Sequence, residues 1–91
     1  MSNTWDLITW RTELTMELRL HSECWEDVLA CTLSEEELDR PFDSGYGVVE
    51  GAPFTLWTGE RVYFPCQYDG SEWVASVQRN PSYLPTSHVG G

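Results

Sequence analysis

The stretch from Phe54 to Val77, FTLWTGERVYFPCQYDGSEWVASV, decides the fold of this chain. Phe54–Trp57 has the composition of a β-strand, and a Thr-Gly-Glu turn leads from it into a second strand over Arg61–Tyr68. Asp69-Gly70 is a strong hairpin signal, and Glu72–Val77 follows with apolar residues at alternate positions. These signals predict a three-stranded antiparallel meander.

Pro65 constrains the middle strand of this meander. Proline has no backbone N–H and cannot donate a hydrogen bond to a neighbouring strand. We therefore expect the sheet to have an edge or a bulge at this position.

Upstream of the meander, Thr12–Leu20 reads TELTMELRL, in which apolar and polar residues alternate. This two-residue period is typical of a half-buried strand. A helix is the alternative, since Trp10, Leu14 and Leu18 recur at intervals of four. We favour the strand because apolar residues occupy all four alternate positions of this stretch.

Two helices are predicted between this strand and the meander. Ser22 is a suitable N-cap, and the residues up to Cys31 carry an apolar stripe at helical spacing. A second, short helix begins after Ser34, where Glu37 completes a capping box, and it ends before Pro41. Residues 42–53 are predicted as a glycine-bearing loop.

The order of these elements predicts an α+β domain over residues 1–80. In it, a small antiparallel sheet, made of the N-terminal strand and the three-strand meander, packs against one helix and a second short helix. Residues 81–91 are predicted to form a partly disordered tail, since they contain two prolines and end in Gly-Gly.

Composition excludes several classes of protein. The 91 residues include 15 acids and five bases, all arginine, which gives a net charge of −10. This charge argues against direct binding to nucleic acid or to an anionic membrane, because both repel it. We find no signal peptide and no apolar run long enough to span a membrane. Three cysteines do not form the even pattern of a disulfide scaffold, so we expect a cytoplasmic protein.

The negative charge is concentrated in the N-terminal half. Residues 1–50 hold 12 acids and three arginines, a net of −9, whereas residues 51–91 hold three acids and two arginines, a net of −1. We take seven of the acids as candidate partner-binding residues: Glu23, Glu26, Asp27, Glu35, Glu36, Glu37 and Asp39. Carboxylates crowded in this way can occupy a groove that is built for phosphates. The alternative is that they complement helix dipoles and keep a small protein soluble.

Twelve aromatic residues suggest a second kind of surface. Most of them must fill the core, but a single helix covers only one face of a small sheet. Trp57, Tyr63 and Tyr83 are the candidates to remain exposed, where they would suit an adaptor domain that binds a protein partner through aromatic side chains.

Catalytic and metal-binding patterns are weak. His21 and His88 are the two histidines, and neither lies beside a recognisable nucleophile. A zinc site from His21, Cys24, Cys31 and Cys66 has unfamiliar spacing, and the apolar stripe explains two of these cysteines. We therefore predict no enzyme activity, no metal and no cofactor.

Five segments of the C-terminal half resemble those of a known protein family. The segments FDSGYG, GAPFTLWT, RVYFP, YDGSEWV and RNP, between Phe42 and Pro81, resemble a family of small proteins that bacteriophages and other mobile elements carry and that has no assigned activity. The size and acidity are also similar to those of anti-CRISPR and anti-restriction inhibitors, some of which imitate DNA. The resemblance implies a non-catalytic inhibitor of a bacterial defence complex, with a CRISPR effector as the first candidate partner.

Overall fold

A computed structural model describes residues 7–43, 50–69 and 71–90 of the chain. The protein is α+β, with one two-stranded and one four-stranded antiparallel sheet, a main helix and a second short helix. The elements are β1 (Leu7–Ile8), α1 (Trp10–Leu20), a 3₁₀ turn (Trp25–Asp27), β2 (Val28–Cys31), α2 (Glu35–Leu38), β3 (Phe42–Asp43), β4 (Leu56–Thr58), β5 (Arg61–Tyr68) and β6 (Ser71–Gln78). The predicted fold class is confirmed, although two elements come from other stretches than expected.

The larger sheet has the strand order β2-β4-β5-β6, and each strand is antiparallel to its neighbour. β5 and β6 form its longest ladder, which runs without a register shift from the pair Arg61–Gln78 to the pair Tyr68–Ser71. Asp69, with φ of 49°, begins the turn between them. The predicted meander is therefore confirmed.

Pro65 lies in β5, where it is paired with Val74 of β6. On the other side of β5, the ladder with β4 consists of the pairs Leu56–Tyr63 and Trp57–Val62. Because Pro65 lies beyond that ladder, its missing N–H costs no hydrogen bond there. This is the edge position that the sequence predicted.

The strand predicted at Thr12–Leu20 is wrong, since these residues belong to helix α1. The four-residue spacing prevails because Trp10, Leu14 and Leu18 are all at most 1% exposed, whereas Leu20 is 72% exposed. The Thr9 side chain caps the helix by accepting a hydrogen bond from the Thr12 N–H at 3.1 Å.

The helix predicted from Ser22 to Cys31 is also wrong. Ser22 has φ of 59° and ends α1: the Ser22 N–H donates to the Arg19 carbonyl, and the Glu23 N–H donates to the Leu18 carbonyl. This is the Schellman pattern of a helix C-terminus. The chain then makes a 3₁₀ turn and enters β2, which pairs with β4 and supplies the fourth strand of the sheet.

The second predicted helix is confirmed as α2. The Ser34 side chain accepts from the Glu37 N–H at 3.1 Å, and the Glu37 carboxylate accepts from the Ser34 N–H at 2.9 Å. This is the capping box expected from the sequence. Leu38 is the buried residue of this helix.

One hydrophobic core lies between the helices and the larger sheet. The buried residues of α1 and α2 contact one face of the sheet, and the cluster they form comprises Trp10, Leu14, Leu18, Leu33, Leu38, Phe54, Leu56, Tyr63 and Val74. Alternate strand residues point to the opposite face, which we call the open sheet face.

Part of the predicted loop at residues 42–53 is a strand instead, because β3 pairs with β1. Residues 44–49 of that loop lie outside the described residues. In the tail, residues 79–90 contain neither helix nor strand. No helix in the described ranges is both long and apolar enough to cross a membrane.

Candidate interaction surface

Arg11 contacts residues of both acidic segments, the 3₁₀ turn and α2. Its Nε donates to the Asp39 carboxylate at 2.9 Å, and its Nη2 pairs with Glu35. Its guanidinium also lies over the Trp25 ring, 4.8 Å from the ring centroid. The hydrogen bonds to Asp39 and Glu35 raise the pKa of Arg11 above its ordinary value. One arginine of α1 therefore anchors both the 3₁₀ turn and α2.

Trp25 reinforces this anchor. Its indole N–H donates to the Thr15 hydroxyl at 2.8 Å, and that hydroxyl donates to the Arg11 carbonyl at 2.6 Å. The 3₁₀ turn is thus fixed to the outer side of α1. The two acidic segments, which are separated in sequence, consequently lie on either side of Arg11.

Besides Glu35 and Asp39, which pair with Arg11, three further candidate acids make contacts within the fold. The Glu37 carboxylate belongs to the capping box, and the Ser34 hydrogen bonds lower the pKa of Glu37. The Asp27 carboxylate accepts from the Cys24 N–H at 2.9 Å at the start of the 3₁₀ turn. The Glu23 carboxylate accepts from the hydroxyl of Tyr63. These contacts stabilise the fold whether or not a partner binds.

Five of the candidate acids are exposed. Asp27 is set apart because its carboxylate accepts from the Cys24 N–H, and we call the other four the acidic surface: Glu26, Glu35, Glu36 and Asp39. The side chains of Glu35 and Asp39 are 83% and 60% exposed despite their pairing with Arg11. Glu26 and Glu36 are exposed, and neither makes a hydrogen bond or ion pair with any described residue. Because Glu26 and Asp27 lie in a 3₁₀ turn rather than in the helix predicted up to Cys31, they are not spaced along an α-helix.

A partly buried polar cluster, which sequence reasoning missed, lies at the C-terminal end of α1. Tyr63 is 0% exposed, and its ring packs edge-on to His21 with the centroids 6.3 Å apart. The His21 Nε2 lies 3.0 Å from the Glu17 carboxylate. The Glu17–His21 spacing of four residues would have indicated this pair had residues 12–20 been recognised as a helix.

A cavity of about 430 Å³ adjoins this cluster. Glu17, His21 and Arg61 contribute to its walls, together with residues 84–89 of the tail. The Arg61 Nε donates to the Ser76 hydroxyl at 2.8 Å, which holds the guanidinium against β6. The tail therefore lies beside the end of α1.

Tyr63→Phe should reduce the loss of stability at alkaline pH. Burial, and then the hydrogen bond to Glu23, raise the pKa of Tyr63 above its ordinary value of about 10. The unfolded chain loses this proton near pH 10 while the folded chain retains it. The contribution of the Tyr63 hydroxyl to the free energy of unfolding is therefore complete below pH 10, and it declines as the pH rises towards the pKa of Tyr63 in the folded chain. Urea unfolding at a series of pH values from 8 to about 11 measures it.

Tyr68→Phe is the matched control for this experiment, because Tyr68 is 59% exposed. Burial also raises the pKa of the Cys66 thiol, but that group is present in all three proteins and cancels in the comparison. A parallel decline of wild type and Tyr63→Phe above pH 10 would contradict the assignment.

The three aromatic residues that were predicted to be exposed differ in their solvent exposure. Tyr63 is buried, so its predicted exposure is wrong, because the residue lies on the core side of β5. Tyr83 is fully exposed in the tail. Trp57 is half-buried and lies on the open sheet face.

No three histidine, cysteine, aspartate or glutamate side chains within residues 7–43, 50–69 and 71–90 are grouped so that they could hold a metal ion. The zinc alternative built on His21 and the three cysteines is therefore not assembled. Comparison of the chain with protein-family models, with curated proteins and with solved structures finds no match.

Proposed function

We propose that this chain is a non-catalytic inhibitor that acts in the bacterial cytoplasm, as part of the counter-defence of a phage or other mobile element. In this proposal the acidic surface docks on a basic, nucleic-acid-binding surface of a defence complex and competes with the nucleic acid for it. A CRISPR effector is the first candidate partner. The observation that carries the proposal is the exposure of the four carboxylates of the acidic surface, two of which pair with Arg11.

Electrostatics support this function. Residues 23–43 contain eight acids and one arginine, a net of −7, and Arg11 adds one further positive charge. Such a surface raises the rate of encounter with a cationic groove, and arginines of that groove can form charge-assisted hydrogen bonds with its carboxylates. Because the Glu26 and Glu36 side chains make no hydrogen bond or ion pair with any described residue, a partner can bind them without first breaking an internal bond.

The double variant Glu26→Arg, Glu36→Arg should weaken inhibition by about tenfold, because it replaces attraction by repulsion at two exposed positions. We would measure target-DNA binding by purified CRISPR effectors as a function of the concentration of this chain, at several salt concentrations. Inhibition by the wild type should weaken as salt rises. Reversal of Glu35, Glu36 and Glu37 together is a poorer test, because Glu35 pairs with Arg11 and Glu37 caps α2.

Glu50→Arg and Glu36→Arg form a matched pair of single variants, because both change the net charge by the same amount. Glu50 is exposed and lies outside the acidic surface. Equal effects of these two variants would show that only the total charge matters. Full inhibition by the double variant, with its fold verified by circular dichroism, would contradict the proposal.

A further inference from the structure

β6 is an edge strand of the larger sheet. Within the part of the chain that the structure describes, it pairs only with β5, over eight residues and without a register shift. The Arg79 N–H donates to the Glu60 carbonyl at 2.9 Å, and bonded residues alternate along an antiparallel ladder. The backbone groups of Val74, Ser76 and Gln78 therefore face the free edge. A long and regular edge of this kind is a template for another strand.

The sequence of this edge lacks the usual protection against strand pairing. β6 contains no proline, no lysine and no bulge. Its one charged residue is Glu72, and that carboxylate is bonded to the N–H groups of Glu50 and Gly51. Residues 71–91 hold one acid and one arginine, so the net charge of the chain is carried by other segments. Local charge repulsion therefore does little to keep a second strand away from β6.

The C-terminal tail turns back beside this edge. The Ser82 hydroxyl donates to the side-chain carbonyl of Gln78 and accepts from the Leu84 N–H at 3.1 Å, which makes a tight serine turn. The Asn80 side chain fixes the start of the tail by donating to the Gly59 carbonyl at 3.3 Å. These contacts direct the residues that follow towards β6 and the end of α1.

Residues 84–89, which we call the strap, share a cavity of about 430 Å³ with Ala75, Ser76 and Gln78 of β6. Ala75 and Ser76 point to opposite faces of the sheet, yet both line this cavity, which places it at the strand edge. Each of these two residues is only 8% exposed. The strap therefore lies beside the backbone groups with which an added strand would pair.

Few contacts hold the strap in place. Residues 85–89 make no hydrogen bond or ion pair with any described residue. Leu84 and Val89 line the cavity but are 68% and 47% exposed. The Ser76 carbonyl accepts from Nη2 of Arg61 at 3.3 Å rather than from the strap. A segment with few buried contacts and no backbone ladder opens at a low free energy, so the strap can leave the edge while the sheet stays folded.

We propose that the strap is a releasable cover of the β6 edge, which keeps the free chain monomeric, and that its release lets β6 pair with β6 of a second copy. Antiparallel pairing of two such edges would join two four-stranded sheets into one. The second copy is the occupant because an antiparallel edge pairs with itself through backbone groups, and the one acid and one arginine of residues 71–91 leave no net charge to oppose it. This device is separate from the acidic surface and from the proposed function.

A release variant of the whole chain provides the test. Ser82→Ala removes both bonds of the serine turn, and Leu84→Ser with Val89→Ser removes two aliphatic side chains that line the cavity. In sedimentation at about 100 μM the wild type should be a monomer and the triple variant a dimer. Tyr83→Ser is the matched control and should stay monomeric, because Tyr83 is fully exposed and does not line the cavity.

Gln78→Pro tests whether the dimer forms through this edge. The Gln78 N–H faces away from β5, so proline costs no bond of the existing ladder but blocks an added strand. Added to the release variant, this substitution should restore the monomer. Circular dichroism verifies that each variant keeps its fold.

Hydrogen exchange measures the cover directly. At a protein concentration where both proteins are monomeric, the amides of Val74, Ser76 and Gln78 should exchange at least about tenfold faster in the release variant than in the wild type. The Val77 amide, which faces β5, should exchange at an unchanged rate. In the wild type alone, nuclear Overhauser effects should connect the methyl groups of Leu84 or Val89 with β6 or the end of α1.

Several results would overturn the proposal. These are a wild-type dimer, a release variant that stays monomeric, a dimer that Gln78→Pro leaves intact, or equal dimerisation of Tyr83→Ser. Unchanged exchange at Ser76 in the release variant would also contradict it. If the release variant failed to fold, the absence of those Overhauser effects in the wild type would still show that the strap does not cover this edge.

Discussion

Gly51→Ala should destabilise the protein by about 3 kcal/mol and lower its melting temperature by more than about 10 °C. A Cβ at this position would lie 2.6 Å from Cζ2 of Trp10, 2.8 Å from Cε2 of Phe42 and 2.8 Å from Oε1 of Glu72. These distances are far inside van der Waals contact. The added methyl must therefore displace at least one of three buried or half-buried groups.

The neighbours of Gly51 have little freedom to move. Trp10 is 1% exposed, and its indole N–H donates to the Ala52 carbonyl at 3.0 Å, one residue beyond the glycine. Its ring also packs against Phe42 and Phe54, with centroids 4.8 and 5.0 Å away. Movement of the indole would disturb this aromatic cluster and the hydrogen bond together, so we expect a cost near the upper end of the usual range for overpacking.

Gly59→Ala is the matched control, because a Cβ there meets no atom within 4 Å. Its effect should stay within about 0.5 kcal/mol. Urea unfolding of both variants and the wild type measures the difference. Equal stability of the two variants would show that the loop at Gly51 can move away from the core.

The meander was predictable because its signals are local. Asp69-Gly70 favours a tight turn, and the flanking segments have strand composition on both sides of it. The capping box of Ser34 and Glu37 is local in the same sense and predicted α2 correctly. Elements that their own residues specify can thus be found without knowledge of the rest of the chain.

α1 and β2 were not predictable in this way. In residues 12–20 the two periodicities compete, and the choice depends on the core that Leu14 and Leu18 enter. β2 is short, with Leu29 68% exposed, and its strand conformation depends on pairing with β4 from a distant part of the chain. Tertiary contacts decide both cases.

The candidate site was predictable in composition but not in arrangement. The sequence indicated which acids are concentrated in the N-terminal half, yet it could not show that Arg11 lies between Glu35 and the Trp25 ring. It also could not separate Glu37, which caps a helix, from its neighbour Glu36, which is exposed without an internal partner. This distinction selects the variants that test the function without damaging the fold.

Glu72→Leu should destabilise the protein by about 3 kcal/mol or more, for a reason different from that of the glycine variant. Glu72 is 6% exposed, and its two carboxylate oxygens accept from the N–H groups of Glu50 and Gly51 at 2.9 and 3.0 Å. Hydrogen bonds to a charged acceptor contribute about 1.5–3 kcal/mol each, and leucine leaves both donors without this partner. Chemical denaturation measures the total cost.

Glu72→Gln separates the hydrogen bonds from the packing. Its amide carbonyl can accept one of the two N–H groups while its NH₂ group cannot accept the other, so we expect roughly half the cost of the leucine variant. Hydrogen exchange at the amides of Glu50 and Gly51 should accelerate in both variants, because opening of this segment then costs less free energy. Glu50→Gln keeps the backbone donor and changes only an exposed side chain, so it should remain within about 0.5 kcal/mol of the wild type. If Glu72→Leu proved as stable as Glu50→Gln, the buried carboxylate would not be what holds this loop against the core.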